Sequence, residues 1–279
     1  MDVYEDLIRE RAAGRPCALA TIVAVQGSIP SHASAKMVVH EDGSIVGTVG
    51  GGPAEAEVIL AAREVLTTGK PKMISFALHE DPRLDSGMVC GGSLDVYVEP
   101  IVPAPVVHLF GAGHVGLVTA RMARLSGHDT VIVDDRPEFA NAERFPDAKL
   151  ILSGSFEESM ARLTPDRRAM VVIATRCHEL DGQVLRWALG TEAGYIGMIG
   201  SKRKILTVFA RLQGEGVPAA AFERVHAPIG LDIGAETPEE IAVSVVAEMI
   251  AWRRGAAGVR PIMRNMATLA ERSRHKEAS

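Results

Sequence analysis

The residues best suited to chemistry are the six of Gly111-Ala112-Gly113-His114-Val115-Gly116. This GxGxxG run follows the apolar stretch Val106–Phe110 and opens a helical stretch; the next apolar run, Val131–Val133, ends at Asp134. A strand, a glycine turn, a helix and a carboxylate closing the second strand form the dinucleotide-binding fingerprint. In that pattern Gly111 makes the tight turn, Gly113 lets the backbone approach a pyrophosphate, and Gly116 lets the helix pack close. The helix N-terminus, with His114 in the same loop, faces the anion, and Asp134 accepts from a ribose hydroxyl. Asp134 favours the free 2′-hydroxyl of NAD, whereas Arg136 suits the 2′-phosphate of NADP. Another nucleotide also fits, as does a Rossmann-like domain that has lost its ligand.

A second bare backbone loop, Gly50-Gly51-Gly52, stands before a helix that opens on Pro53. Consecutive glycines can turn their amides inward as an anion nest, and the helix dipole adds positive potential. The plainer reading is a flexible turn with Gly52 capping the helix. Cys90 precedes a further pair, Gly91-Gly92. There it could be an exposed soft metal ligand or, equally, a small buried hydrophobe.

Three other groups are candidates, the first of them after a predicted strand at the carboxyl edge where an open α/β sheet binds ligands. In Thr175-Arg176-Cys177-His178, Arg176 can fork onto a phosphate, and His178 with Asp181 can move protons. The alternative is a helix start that uses these groups for capping and surface charge. In Ser201-Lys202-Arg203-Lys204, three adjacent cations oppose a helix dipole, which a nearby anion would relieve, unless they form a solvated face. Asp232 is either a site carboxylate or a residue that orders its glycine-flanked loop. There is no HExxH, EF-hand loop or zinc spacing, and neither GxxxxGK[ST] nor GxSxG occurs.

The elements that must hold these groups follow from length and pattern. The chain has 279 residues, 30 Lys+Arg against 35 Asp+Glu and 47% hydrophobic residues. At roughly 150 residues per domain this suggests two. The composition is too apolar for disorder, and the net charge of −5 gives no broad attraction for nucleic acid. No apolar run is long enough to span a bilayer. The N-terminus lacks a signal-peptide pattern. Three distant cysteines without a CxxC indicate reduced thiols and a cytoplasmic protein. We expect a small α+β domain over residues 1–99, a proline-rich linker at 100–105, and a Rossmann-like doubly wound parallel-sheet domain at 106–260. A tail at 261–279 completes the chain, frayed over its last eight residues. Pro100, Pro103 and Pro105 mark the linker. Helices are predicted at Val3–Ala13 and Pro53–Thr68, and a hairpin turns at Asp42-Gly43. Thr237-Pro238-Glu239-Glu240 caps a helix apolar nearly all round, as expected for core or a dimer contact. Only Glu240, Ser244 and Glu248 interrupt it, four residues apart.

These residues together resemble the XdhC/CoxI family, accessory proteins that mature molybdenum-containing hydroxylases such as xanthine dehydrogenase. The resemblance runs nearly end to end. It covers Gly27-Ser28 with Pro30, Ala35-Lys36-Met37, Gly47–Gly52 with Glu55, Met88–Gly92, Gly111–Gly116, Asp134–Phe139, Thr175-Arg176 with His178 and Asp181, Tyr195–Ser201, and His226–Glu240. It implies a cytosolic, dimeric chaperone that binds molybdenum cofactor, as molybdopterin or its dinucleotide. Such a chaperone holds the cofactor while a cysteine desulfurase or other sulfurtransferase replaces an oxo ligand with sulfide, then passes it to the apo-hydroxylase. It acts by binding and handover rather than turnover. Members commonly carry a cysteine right after the triple glycine, where this chain has Pro53 and Ala54. If that cysteine normally contacts molybdenum, this chain relies on Cys90 as the candidate contact, binds the cofactor differently, or belongs to a divergent branch. The two glycine loops would take the phosphorylated ends of one long ligand, with Arg176, Lys202 and Arg203 as further anion contacts. An NAD(P)-dependent oxidoreductase, with His178 as proton donor, and a nucleotide-sensing module are the competing classes.

Overall fold

The computed structural model describes residues 2–27, 33–78 and 92–256. The Gly27–Ser31 turn beyond Gly27, the Cys90-Gly91 pair with Met88 and Val89, and the 261–279 tail lie outside the described residues. The chain divides into two units, Met1–Pro103 and Ala104–Ser279. No helix among the described residues is long and apolar enough to cross a membrane.

The first unit is an antiparallel sheet with a helix on each face. Its strands β1 (Cys17–Gly27), β2 (Lys36–His40), β3 (Ile45–Gly47), β4 (Lys72–Leu78) and β5 (Gly92–Ile101) lie in the order β3-β2-β1-β5-β4. Strand residues alternate between faces. Ala18, Ala20 and Ile22 of β1, with Met37 and Val39 of β2, therefore meet Val58, Ala62 and Val65 of helix α2 (Gly52–Thr68). Residues of the opposite parity face away, and His40 among them reaches Asp6 on helix α1 (Val3–Ala12). β5 runs on to Ile101, into the proline-rich stretch expected as linker, because β1 still pairs with it, Ala18 opposite Pro100. β4 has already ended at that point. The proline thus sits where the strand has a single neighbour, which a residue without an N–H tolerates.

The second unit is a parallel sheet of β6 (Val106–Phe110), β7 (Asp129–Asp134), β8 (Leu150–Ser153), β9 (Met170–Ile173), β10 (Tyr195–Met198) and β11 (Val225–His226). The order β11-β10-β9-β6-β7-β8 runs outward in both directions from β6 and β9. This is the doubly wound Rossmann arrangement, with its switch point between those two strands. Helices α4 (Phe156–Ala161), α5 (His178–Leu189) and α6 (Lys202–Gly214) cover one face, and α3 (His114–Leu125) and α7 (Pro238–Arg253) the other. Every residue of β9 and β10 is buried, as expected of strands covered on both sides. The architecture is the predicted one: an antiparallel α+β unit followed by a doubly wound parallel unit.

Candidate functional site

The glycine turn lies at the carboxyl end of β6, at the switch point. Gly111 adopts φ +113°, and a Cβ there would lie 2.1 Å from the carbonyl oxygen of Ala174. A Cβ on Gly116 would lie 2.0 Å from the carbonyl oxygen of Gly111, so α3 packs onto the turn itself. Gly113 differs: a Cβ there meets nothing within 4 Å. Gly113 is the N-cap of α3 and brings no side-chain cap, and His114 is exposed. The amides of the first helical turn have no intrahelical acceptors and no side-chain cap, the space beside Gly113 is open, and the positive end of the dipole lies behind them.

Asp134 closes β7, buried beside this turn. Its Oδ1 accepts from the amide and Nε of Arg136 at 3.1 and 2.8 Å. Its Oδ2 accepts from the Ala112 amide at 2.7 Å and from Arg136 Nη2 at 3.0 Å. A carboxylate offers about four lone-pair sites, and all are taken. Burial pushes this carboxyl up, but the Arg136 guanidinium and the two amides outweigh it and hold it below the usual range. A ribose hydroxyl reaches Asp134 only if Arg136 lets go. Arg136 also stacks 3.8 Å over the Phe139 ring, and Arg144, 5.1 Å from the same ring, donates to the Ala112 carbonyl at 2.9 Å.

On the other side of the turn, the loop after β9 carries Arg176, whose Nη1 donates to Asp135 Oδ1 at 2.6 Å. Thr175 is fixed from below by Asp181, which accepts from its hydroxyl at 2.6 Å and its amide at 3.3 Å. Asp181, fully buried, is ion-paired with Lys204. The run Lys202-Arg203-Lys204 thus splits: Lys202 and Arg203 are exposed on the first turn of α6, while Lys204 turns inward. His178 does not meet Asp181; it pairs at 2.8 Å with Glu179, both more than half exposed. Cys177 is the N-cap of α5.

The loop Gly50-Gly51-Gly52 has three successive positive φ values, 120°, 75° and 67°, which side-chain-bearing residues rarely adopt. Two of its amides are already engaged. Gly50 donates to Thr48 Oγ1 at 3.0 Å and Gly51 to Glu55 Oε2 at 3.2 Å, while the Thr48 hydroxyl donates to Glu55 at 2.6 Å. The loop thus gives one amide to the chain's own carboxylate, Glu55, and another to the Thr48 hydroxyl bonded to it.

Asp6, Glu10 and His40 bring three potential metal-ligating atoms within 4.8 Å of one another. Their charges are met by the chain, however. Arg15 forks onto Glu10 at 2.6 and 2.7 Å, Arg9 pairs with Asp6 and Glu10, and His40 Nε2 lies 2.7 Å from Asp6. A cation would have to displace two guanidinium groups, so the donor set suits an ion-pair cluster fastening α1 to β2.

Comparison with known proteins bears on both units. Residues 107–249 match the model of the XdhC Rossmann domain, and residues 10–77 match that of the XdhC and CoxI family. The chain belongs to the XdhC/CoxI family. It is 35% identical to the uncharacterized protein YqeB of Escherichia coli K12, over 92% of this chain and 47% of that one. It is 32% identical to a probable xanthine dehydrogenase subunit of Bacillus subtilis 168, over 59% of this chain and 48% of the other. The chain therefore spans about half the length of these two relatives. The molybdenum cofactor insertion chaperone PaoD of E. coli K12 is 23% identical over 86% of this chain and 84% of its own. A crystal structure of a xanthine dehydrogenase from Bacillus halodurans shares the fold, with TM-score 0.50 and 24% identity, over 92% of this chain and 97% of that one.

In this XdhC/CoxI member the segment His226–Glu240 is held by the polar stripe of α7. Glu248 accepts from the Tyr195 hydroxyl at 3.0 Å and the Gly230 amide at 2.5 Å, and lies 2.8 Å from His226 Nδ1. Ser244 donates to the Leu231 carbonyl at 2.7 Å, and Glu240 accepts from the amides of Glu236 and Thr237. The stripe is a clamp, which the four-residue spacing alone did not reveal. Asp232 is exposed on the clamped loop. Arg144 is the site residue that sequence reasoning missed: nothing in its spacing points back to Ala112, 32 positions earlier.

Proposed function

We propose that this XdhC/CoxI member is a molybdenum-cofactor accessory protein that binds the cofactor as cargo and hands it to an apo molybdenum hydroxylase of the xanthine dehydrogenase type. The observation that carries this reading is the glycine turn of a family Rossmann domain. Gly111 and Gly116 are consumed by packing, and Gly113 alone stands open at a helix N-terminus. That cradle fits the phosphate end of a pterin cofactor, or the pyrophosphate of its dinucleotide form. Exposed Arg176, Lys202 and Arg203 supply positive charge at the same edge of the sheet. Sulfuration by a cysteine desulfurase while the cargo is held, contact of Cys90 with molybdenum, homodimerisation and a cytoplasmic location belong to the same proposal and rest on the family resemblance. The name and role of PaoD point the same way. The hydride-transfer alternative has less support, because His178, its proton donor, is exposed and paired with Glu179.

The test is to purify the chain from molybdate-replete cells and measure molybdenum and oxidised-pterin fluorescence per chain. Stoichiometric pterin that falls in Gly113→Val is expected, and in Cys90→Ala a loss of molybdenum with pterin retained. A bound nicotinamide nucleotide without pterin would overturn the reading.

A further inference from the structure

The strand order places β6 between β9 and β7. The loops at the carboxyl ends of these two neighbours therefore flank the glycine turn, about 10 Å apart at the usual strand spacing. One ion pair joins them across it: Arg176, from the loop after β9, donates to Asp135, from the loop after β7, at 2.6 Å. A dinucleotide in such a sheet runs along this line, from the end of the second strand, over the glycine turn, toward the fourth. The bridge thus spans the path that a ligand pyrophosphate takes.

We propose that the Arg176–Asp135 pair is a displaceable strap over the glycine turn, in which the Asp135 carboxylate occupies the position on Arg176 that a ligand phosphate takes. Three observations support the exchange. Both groups are partly exposed, Arg176 at 47% and Asp135 at 26%, so the pair opens without dismantling the core. Asp135 stays in the field of a second cation when it lets go, because Arg136 Nε, itself bonded to Asp134, stands 4.0 Å away. Thr175, which precedes Arg176, is pinned to buried Asp181, so the loop keeps its place while the guanidinium changes partner. A guanidinium donates to carboxylate and to phosphate oxygens in similar geometry. The ligand class is a phosphate ester or pyrophosphate. Asp134 is not available to recognise a ribose, because Arg136 and Ala112 fill it. The proposal rests on the reading of the glycine turn as an anion site.

The experiment is calorimetric titration of inorganic pyrophosphate into the full chain, Asp135→Asn, Arg176→Gln and the double variant. Glu138→Gln removes the same charge from the same turn and serves as control. Partly exposed ion pairs set the scale, so Asp135→Asn is expected to bind pyrophosphate about fivefold more tightly and Arg176→Gln several-fold more weakly. The gain from Asp135→Asn should vanish in the Arg176→Gln background and be absent in Glu138→Gln. Equal affinity of the parent chain and Asp135→Asn would overturn the strap while leaving the anion site standing. So would an equal gain in both Arg176 backgrounds, or in Glu138→Gln, since that reports only net charge. If no chain binds pyrophosphate, the anion site and the strap fall together. Thermal melts of each variant separate these outcomes from misfolding.

Discussion

The amide of Gly230 donates to Oε2 of Glu248 at 2.5 Å, which fastens the loop after β11 to the buried face of α7. The same carboxylate accepts from Tyr195, whose hydroxyl burial and the Glu248 charge keep firmly protonated. Glu248→Ala would leave a buried hydroxyl and a buried amide without an acceptor. We expect a loss of about 3 kcal/mol, against about 1 kcal/mol for Tyr195→Phe, which removes one bond. Urea denaturation measures both, and losses of similar size would show that the loop is held by something else.

Glu55 accepts from one amide of the first glycine loop and from Thr48. Glu55→Gln weakens both the Gly51 bond and the bond from Thr48, and it removes the negative charge from the first turn of α2. The expected cost is about 1 kcal/mol, on the scale of a helix N-cap. Thr48→Val should cost a similar amount and add little on top of Glu55→Gln, because the two side chains act as one cap. Additive losses in the double variant would count against that coupling.

Acid should weaken the two units in different pH windows. Burial of His108 on β6 lowers its pKa from 6.5 to about 4. Below pH 6.5 the unfolded chain takes up a proton that the native chain refuses. Stability therefore falls as pH drops from 6.5 to about 4 and then levels, by up to ~3 kcal/mol in all. In the first unit, Arg15 bonded to Glu10 overcomes the opposing effect of burial and, with Arg9, holds that carboxyl down at about 2, from 4.5. Its contribution is fully present above pH 4.5 and disappears as pH falls toward 2. His108→Gln should flatten the upper slope of a urea-midpoint profile, and Glu10→Gln the lower one. If either variant keeps its parent's slope, another group is titrating.

The parts of the molecule legible in sequence are those set by local backbone demands. β6 runs from Val106 to Phe110 as its apolar pattern implies, and α2 ends at Gly69, whose φ of +67° explains the glycine. β11 was not foreseen: two residues, Val225 and His226, are too few for any periodicity and become a strand only by pairing with β10. The site divides in the same way. Glycine positions show themselves because backbone geometry excludes other residues there. Partners of side chains do not: Lys204 meets Asp181 across two helices, and Glu248 reaches Tyr195 from 53 positions away. The carboxylate at the end of β7 was legible as Asp134, but its occupation by Arg136 and Ala112 depends on how the turn folds back.

The three glycines of the fingerprint should separate into two classes when each is changed to alanine. At Gly111 the new Cβ would strike the Ala174 carbonyl, and the φ of +113° is itself strained for alanine. At Gly116 it would strike the Gly111 carbonyl, backbone against backbone, with no flexible side chain to give way. Each change should cost about 3 kcal/mol or more, the range of overpacking combined with backbone strain. Gly113→Ala adds a methyl to open space at an ordinary φ of −66°, so its stability should stay within about 1 kcal/mol of the parent. Its methyl would instead stand where a phosphate must approach the amides of α3, and pyrophosphate binding should weaken about tenfold or more. Denaturation paired with titration distinguishes the classes. A Gly113→Ala chain that binds pyrophosphate as the parent does would mean that the anion approaches from elsewhere.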